Sequence, residues 1–171
     1  MDAWTTAPPE LTGTWRLSVA EATRAAQGAL QACLDGCPDY FARTEGEAAG
    51  GDAAAHLLDE AEADPLRRLY LFSLRRSGAP AALLDLWLDQ PEPGTAHLGL
   101  LLVREALQGQ GLGREAVAAL EAALAETGCR ALRLSVTDEN REVEGFWARL
   151  GYASVGRLDG GVTVYEKPLR G

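Results

Sequence analysis

The first third of the chain carries apolar residues at helical spacing. Ser18 and Glu21 fit a capping box, in which each side chain accepts a hydrogen bond from a backbone N–H near the other. They predict the start of an Ala- and Leu-rich helix that stops ahead of Gly36 and Pro38. The elements predicted here are a short strand over 15–17, a helix over 18–34, a loop over 39–51 and a helix over 52–63.

From the middle of the chain the apolar period changes to one typical of strands. Short apolar runs lie between turn residues, and the run over 96–103 is almost continuously apolar, as in a strand buried on both faces. Leu112, Ala116, Leu120 and Leu124 then recur every four residues, which predicts one face of a helix. The predicted elements are strands over 69–76, 81–89 and 96–103, a helix over 112–128, a strand over 130–137, a helix over 140–150 and a hairpin over 152–166. This order predicts a mixed α/β fold.

The composition is typical of a globular protein, and we expect a single domain over residues 1–171. Hydrophobic residues make up 47% and charged residues 24%. The net charge of −9 argues against nucleic-acid partners, because nucleic-acid binding depends on Lys and Arg neutralising phosphates, and against anionic membrane surfaces. An anionic ligand would therefore need a local site of backbone N–H groups or a few Arg side chains.

Cysteine usage and the N-terminal residues predict a reduced, cytoplasmic protein. The cysteines Cys33, Cys37 and Cys129 are odd in number, and residues 1–9 lack the basic and apolar regions of a signal peptide. No further Cys or His stands near Cys33 and Cys37 to complete a zinc site, so no metal is expected. No apolar stretch approaches the ~20 residues needed to span a bilayer.

The segment from Gln108 to Arg114 carries the clearest functional signal. Its three glycines follow a buried strand and open an amphipathic helix. Glycine inside regular structure costs roughly 0.5–1 kcal/mol relative to alanine, so the cluster needs a reason. Without Cβ atoms the backbone N–H groups can approach a ligand, and the first N–H groups of a helix have no partner within it. The segment therefore predicts an anion site, to which Arg114 adds positive charge.

From the residues alone, alternatives to an anion site stay open for this segment. A strand-to-helix turn without any ligand accounts for three glycines about as well. A nucleotide P-loop is excluded because no Gly-Lys-Ser/Thr triplet is present. A dinucleotide-binding turn fits weakly, because Gly111 and Gly113 stand well beyond the end of the strand and the next strand carries no clear acid for a ribose.

Two motifs, in order, resemble the GNAT superfamily of N-acetyltransferases. Gln108-Gly-Gln-Gly111-Leu-Gly113 is similar to the family's pyrophosphate loop, Gln/Arg-x-x-Gly-x-Gly/Ala. The segment from Asn140 to Tyr152 is similar to its second motif, Asn-x-x-x-x-x-Phe-Tyr-x-x-x-Gly-Phe. The order of predicted elements agrees over nearly the whole chain. The resemblance implies a GNAT fold, whose central twisted mixed sheet, flanked by helices, splays open between its fourth and fifth strands.

The resemblance also implies that acetyl-CoA binds in that gap as a co-substrate. Main-chain groups at the end of the fourth strand would pair with the pantetheine arm, and amides of the glycine segment would hold the pyrophosphate. Asn140 would meet the cofactor from the end of the fifth strand, and Trp147 would pack either on the cofactor or in the core. The predicted cofactor-binding residues are Leu101, Leu102, Val103, Gln108, Gly109, Gln110, Gly111, Leu112, Gly113, Arg114, Asn140 and Trp147.

Two positions depart from the family's pattern. Many relatives have a tyrosine acid where this chain has Trp147, whose indole N–H gives up no proton at a useful pKa. Some relatives have a glutamate base where this chain has Ser135. Direct attack of a neutral amine on a thioester still needs a base, so the catalytic groups must be sought elsewhere.

The candidate catalytic residues are His97 and Asp85. Imidazole titrates near neutrality, and strand alternation would place His97 on the same face as Leu101 and Val103. A half-exposed histidine without a catalytic role explains it as well. Asp85 lies inside a predicted strand, on the face of Trp87, although a solvated outer face of the sheet accounts for it too.

Acidic residues after the first helix bear on the acceptor. By the resemblance this region borders the acceptor, and Glu45, Glu47 and the acidic run over 59–64 would make that border negative. A cationic amine such as a polyamine or an aminoglycoside is then favoured, although a solvated acidic helix face explains the run equally well.

The predicted function is transfer of an acetyl group from acetyl-CoA to a primary amine of a small molecule or peptide, by direct attack. The alternative is a catalytically impaired module of the same fold that binds acyl-CoA without turning it over, which the departures at Trp147 and Ser135 favour. The leucine-rich hairpins and the resemblance to a family whose members often dimerise suggest a homodimer.

Overall fold

A computed structural model describes residues 16–170 of the chain, so the predicted contribution of Trp15 to a first strand and the prediction about residues 1–9 lie outside the described residues. Within this range a seven-stranded sheet has the order β1-β2-β3-β4-β5-β7-β6. The strands are β1 (Leu17–Glu21), β2 (Arg67–Leu74), β3 (Pro80–Trp87), β4 (Thr95–Val103), β5 (Ala131–Thr137), β6 (Ala153–Leu158) and β7 (Val162–Pro168). The α-helices are α1 (Gln27–Asp35), α2 (Pro38–Thr44), α3 (Ala53–Ala63), α4 (Leu112–Glu126) and α5 (Glu144–Arg149).

Helices cover both faces of the sheet, and each face buries its own apolar cluster. Helices α1 and α3 pack on one face, which we call the α1/α3 face, and Leu69 and Leu71 point into it. Helices α4 and α5 pack on the other, the α4/α5 face, where Tyr70 and Phe72 are buried. The central strands are therefore apolar at successive positions, because neighbouring side chains enter different cores.

The strongly periodic predictions are confirmed. Leu112, Ala116, Leu120 and Leu124 are all buried along one side of α4. On β5 the alternating Leu132, Leu134 and Val136 are likewise buried. Most other strand ends differ from the prediction by only one or two residues.

The predicted capping box at Ser18 and Glu21 is wrong. Both residues lie in β1, which pairs antiparallel with β2 over all five of its residues. The Ser18 hydroxyl donates to the carbonyl of Ser73, 3.4 Å away. The first α-helix begins only at Gln27, after a 3-10 turn. Pairing with a strand distant in sequence thus outweighs the local capping preference.

Two further local predictions need correction. The expected loop after the first helix contains α2, which has Pro38 in its first turn, where a missing backbone N–H costs nothing. The helix expected over 140–150 is regular only over Glu144–Arg149, because Asp138–Val143 forms a 3-10 helix with non-helical backbone angles at Asn140.

The sheet opens between β4 and β5. These strands run parallel and pair only over residues 95–98 of β4 and 131–134 of β5. Beyond this stretch β4 continues to Val103 and β5 to Thr137, and within the described residues no ladder joins them. The expected splay between the fourth and fifth strands is confirmed, and it leaves main-chain groups of β4 facing a gap.

Candidate active site

The glycine segment forms an open turn at the start of α4. Gly109 and Gly111 have φ angles of 76° and 81°, in the left-handed region that residues with a Cβ avoid. A Cβ on Gly109 would meet no atom of the described residues within 4 Å. One on Gly113 would touch Phe146 at 3.4 Å and Val103 at 3.5 Å. The turn is therefore exposed at its tip and packed, at its base, against the end of β4 beside the gap.

Among the described residues, the backbone N–H groups of this turn have no hydrogen-bond partner. Within residues 16–170 we find no acceptor for the amides of residues 109–114. Four of the N–H groups at any helix start lack an internal partner, and here they lie in a turn that side chains leave open. Aligned amides at the positive end of a 15-residue helix can hold an anion.

Two arginines add positive charge at the same point. A Cβ on Gly111 would lie 3.5 Å from Nη2 of Arg16 and 3.9 Å from Nη2 of Arg114. The carboxylate of Glu115 fixes Arg16, accepting from its backbone N–H at 2.5 Å and from its Nε at 3.1 Å. With the Glu115 carboxylate beside them, the two arginines leave a net positive charge at the turn inside a chain of net charge −9. The sequence did not point to Arg16, because nothing in its local pattern indicates that β1 begins beside α4.

Among the other predicted cofactor residues, Gln108 has a structural partner. Its side-chain amide donates to the Val103 carbonyl at 2.9 Å, and the thiol of Cys37 lies 3.3 Å from the same oxygen. This bond ties the turn to the end of β4. Leu102 is buried on the α1/α3 face, while the side chains of Leu101 and Val103 belong to the α4/α5 face.

Asn140 and Trp147 are placed differently from each other. Asn140 lies beyond β5, across the gap from α2, and its Oδ1 accepts from Arg43 at 3.3 Å. Trp147 is only 7% exposed and packs edge-on between Phe146 and Tyr152. Of the two roles open to Trp147, this burial favours packing in the core, and Phe146 is the aromatic residue that borders the glycine turn.

A β-bulge at Gly99 corrects the predicted position of His97. Asp85 pairs with Leu100 and the next residue of β3, Leu86, pairs with Leu98, so Gly99 is an extra residue in β4. The bulge reverses the alternation. His97 therefore does not share a face with Leu101 and Val103, as strict alternation predicted, but opens toward the opposite face.

His97 lines a cavity of about 650 Å³ at the root of the gap. It lies opposite Arg133 in the last paired stretch of β4 and β5, and the cavity extends to Gly99 and Ser135, where the strands part. Within the described residues its imidazole makes no hydrogen bond or ion pair. Burial and, secondarily, the positive charge of Arg133 lower the pKa of His97 below its ordinary value of 6.5. The neutral ring is thus free to accept a proton at neutral pH.

Asp85 lies in the sheet core and not on a solvated face. It is 3% exposed, and its carboxylate takes a bidentate pair of hydrogen bonds from Arg67 at 2.9 Å and 2.7 Å. Burial raises the pKa of Asp85 above its ordinary value of 3.8, and the Arg67 guanidinium opposes this. Glu60 also binds Arg67, at 2.7 Å. Because both carboxylate oxygens of Asp85 are occupied, its geometry favours a structural role.

The acidic side chains of the run over 59–64 all have partners within the chain, but they outnumber the arginines that pair with them. Asp59 and Glu62 both bind Arg24. Glu60 binds Arg67, and Asp64 accepts from the indole N–H of Trp87 and from a backbone N–H. Arg24 and Arg67 offset part of this negative charge, but Arg67 also pairs with Asp85, so the run keeps a net negative charge.

The described residues contain neither a cluster of metal-binding side chains nor a helix that could span a membrane. Among residues 16–170, no group of three or more His, Cys, Asp or Glu side chains is arranged to hold a metal ion. In the same range, none of the helices combines the length and apolar character needed to cross a membrane.

Comparisons with known proteins agree with this geometry. The model of the acetyltransferase (GNAT) family matches residues 34–152. The chain gives no match among curated protein sequences. An acetyltransferase structure from Thermus thermophilus is 32% identical, covers 92% of this chain and 100% of its own, and has a TM-score of 0.83.

More distant structures share the fold. Spermidine N-acetyltransferase from Vibrio cholerae, in complex with CoA and spermine, is 14% identical, covers 90% of this chain and 96% of its own, and has a TM-score of 0.70. The PaiA N-acetyltransferase from Thermoplasma acidophilum, in complex with coenzyme A, is 11% identical, covers 90% of this chain and 99% of its own, and has a TM-score of 0.69. The family model over residues 34–152 and the similarity to the Thermus thermophilus structure show that the chain belongs to the GNAT acetyltransferase family.

Proposed function

We propose that this chain is an N-acetyltransferase that moves the acetyl group of acetyl-CoA to a primary amine. The observation that carries the proposal is the open turn at the start of α4, beside the splayed edge of β4, whose amides have no partner among the described residues. A diphosphate bound there would direct an extended cofactor arm along β4 toward the bulge at Gly99. The cavity with His97 lies next to that bulge, at the root of the gap.

The cofactor contacts are assigned by position. The amides of residues 109–114, which have no partner among the described residues, would hold the phosphates together with the guanidinium groups of Arg114 and Arg16, the latter also bound to Glu115. Main-chain groups of β4 over 101–103 would bind the pantetheine arm as a strand would. Gln108 would position the turn through its bond to Val103. Asn140 would contact the cofactor through its side-chain amide N–H groups, since only its Oδ1 is bound, by Arg43.

In the proposed reaction His97 acts as the base. The amine nitrogen attacks the thioester carbon, the C–N bond forms, and the C–S bond breaks. His97 accepts the proton that the nitrogen loses, and the departing thiolate takes a proton from water. A base with a pKa near or below neutrality suits this task, because it must be unprotonated when the amine arrives. Asp85 does not take part directly and instead holds Arg67 beneath the cavity wall.

The test is release of free CoA from acetyl-CoA in the presence of a broad panel of primary amines, followed with a thiol reagent. We expect acceptor-dependent release and an acetylated product detected by mass spectrometry. The competing proposal, an impaired module that only binds acyl-CoA, is supported by the buried Trp147 in place of a tyrosine acid. Tight CoA binding without release on any amine would favour the module.

A further inference from the structure

The lining of the cavity beside His97 indicates which amines it admits. Ligand pockets are selective because their walls match the body of the ligand and a few polar groups orient it. The cavity is lined by the large side chains Trp87, Pro91, Leu158 and Val164, and by Gln90, His97, Gly99, Arg133 and Ser135. No carboxylate belongs to this lining among the described residues. The walls are thus mainly apolar, and the charged group among them is a cation.

Trp87 is a rigid part of the wall. Its indole N–H donates to Asp64 at 3.1 Å, and the guanidinium carbon of Arg67 lies 4.4 Å from the ring centroid. The ring edge also covers Gly99 so closely that a Cβ there would overlap it. Three contacts therefore fix the ring, and the bidentate bond between Arg67 and Asp85 anchors it from behind.

The charge in the cavity disfavours a multiply charged acceptor. Arg133 lines the wall and is paired with Glu166 on β7, with its Nε 2.8 Å from the carboxylate. That carboxylate already has a partner. A second ammonium group on the acceptor would enter beside the Arg133 guanidinium and would find no free carboxylate on the walls that the described residues form. No carboxylate of α3 belongs to the cavity lining, so none of them gives a second ammonium group a direct partner there.

We infer that the acceptor is a primary amine carried by a single apolar body, such as an arylalkylamine, and not a polyamine or an aminoglycoside. This inference rests on the proposed acetyl transfer and adds the class of its acceptor. It replaces the polyamine or aminoglycoside that the acidic residues suggested from the sequence with an amine that carries a single positive charge.

The first test compares kcat/KM for 2-phenylethylamine and spermidine at saturating acetyl-CoA, with the full chain. We expect a preference for 2-phenylethylamine of about tenfold or more, because apolar contacts with a pocket wall contribute on this scale. An equal value for the two amines, or a preference for spermidine, overturns the inference.

A matched pair of variants on β6 tests whether the preference for 2-phenylethylamine arises in this cavity. Leu158 and Val155 are exposed to 57% and 53%, but only Leu158 is part of the cavity lining. Leu158→Glu places a carboxylate on the wall and is expected to lower kcat/KM for 2-phenylethylamine by about tenfold while narrowing the preference over spermidine. Val155→Glu adds the same charge outside the cavity, and its kcat/KM for both amines is expected to stay close to that of the wild type. Equal effects of both variants contradict the inference.

A binding measurement separates this inference from the proposed function. If no amine releases CoA, acetyl transfer is wrong, but the acceptor class can still be measured by titrating both amines into CoA-saturated protein in a calorimeter. Tighter binding of 2-phenylethylamine, lost in Leu158→Glu and kept in Val155→Glu, supports the inference. Tighter binding of spermidine, or binding of neither amine, overturns it.

Discussion

Replacing Gly111 by leucine tests whether the open turn holds the cofactor. Gly111 has a φ of 81° and stands at the N-cap of α4, and Gly128 has a φ of 82° just beyond the other end of the same helix. At neither position would a Cβ clash, since the nearest atoms at Gly111 are 3.5 Å away and Gly128 has none of the described residues within 4 Å. Gly128→Leu is therefore a control with the same backbone strain and a different location.

The expected magnitudes follow from this geometry. An L-residue in the left-handed region costs roughly 1–2 kcal/mol, so each variant should lower the free energy of unfolding by that amount. For a protein of this size about 1 kcal/mol shifts Tm by roughly 2–4 °C, so both variants should melt roughly 2–8 °C earlier. The leucine at 111 would also cover the turn. A hydrogen bond to a charged group contributes about 1.5–3 kcal/mol, so losing one amide contact should raise the Kd for CoA on the order of 10- to 100-fold.

The assay is calorimetric titration of CoA into wild type and both variants, at a temperature where circular dichroism shows each to be folded. We expect Gly111→Leu to lose affinity and Gly128→Leu to bind CoA as the wild type does, although both are destabilised. If the two variants show the same Kd, the loss at Gly111 reflects backbone strain alone, and the assignment of the turn as the phosphate site is refuted.

Three further substitutions probe other parts of the site. His97→Gln should lower kcat/KM by roughly 10²–10⁴. In the wild type, kcat/KM should fall at acid pH as the imidazole is protonated with a pKa below 6.5, and this fall should be absent in the variant. A pH–rate profile unchanged in shape would exclude His97 as the base. Arg16→Ala should raise the Kd for CoA up to about fivefold and weaken its salt dependence, whereas Arg76→Ala, in the exposed turn after β2, should change neither. Asp85→Ala should leave Arg67 without its bidentate partner and lower the free energy of unfolding in urea by about 3–5 kcal/mol, and a variant of unchanged stability but without activity would restore Asp85 as a catalytic candidate.

Features that depend on residues close in sequence could be predicted without the structure. The glycine segment, the apolar face of α4 and the alternation along β5 each lie within one element, where the period of the backbone fixes which side chains share a face. The two motifs that suggested the family are likewise local, and the family model confirmed that suggestion. The fold class followed because the order of elements restricts how they can pack.

Features that depend on distant pairing could not be predicted. Ser18 and Glu21 satisfy a helix-capping pattern, yet the ladder with β2 makes them a strand. A single extra residue at Gly99 turns His97 toward the opposite face, and alternation counted along the sequence cannot reveal which strand carries a bulge. The burial of Asp85 against Arg67 and the convergence of Arg16 on the glycine turn require elements far apart in the chain to meet.

The sequence by itself therefore determined the family, the fold class and the position of the proposed phosphate turn, because each is encoded by neighbouring residues and by backbone periodicity. The tertiary structure alone decided which face His97 occupies, which carboxylates are already paired and which walls enclose the acceptor cavity. These depend on strand register and on contacts between distant elements, where a shift of one residue exchanges the two faces of a sheet.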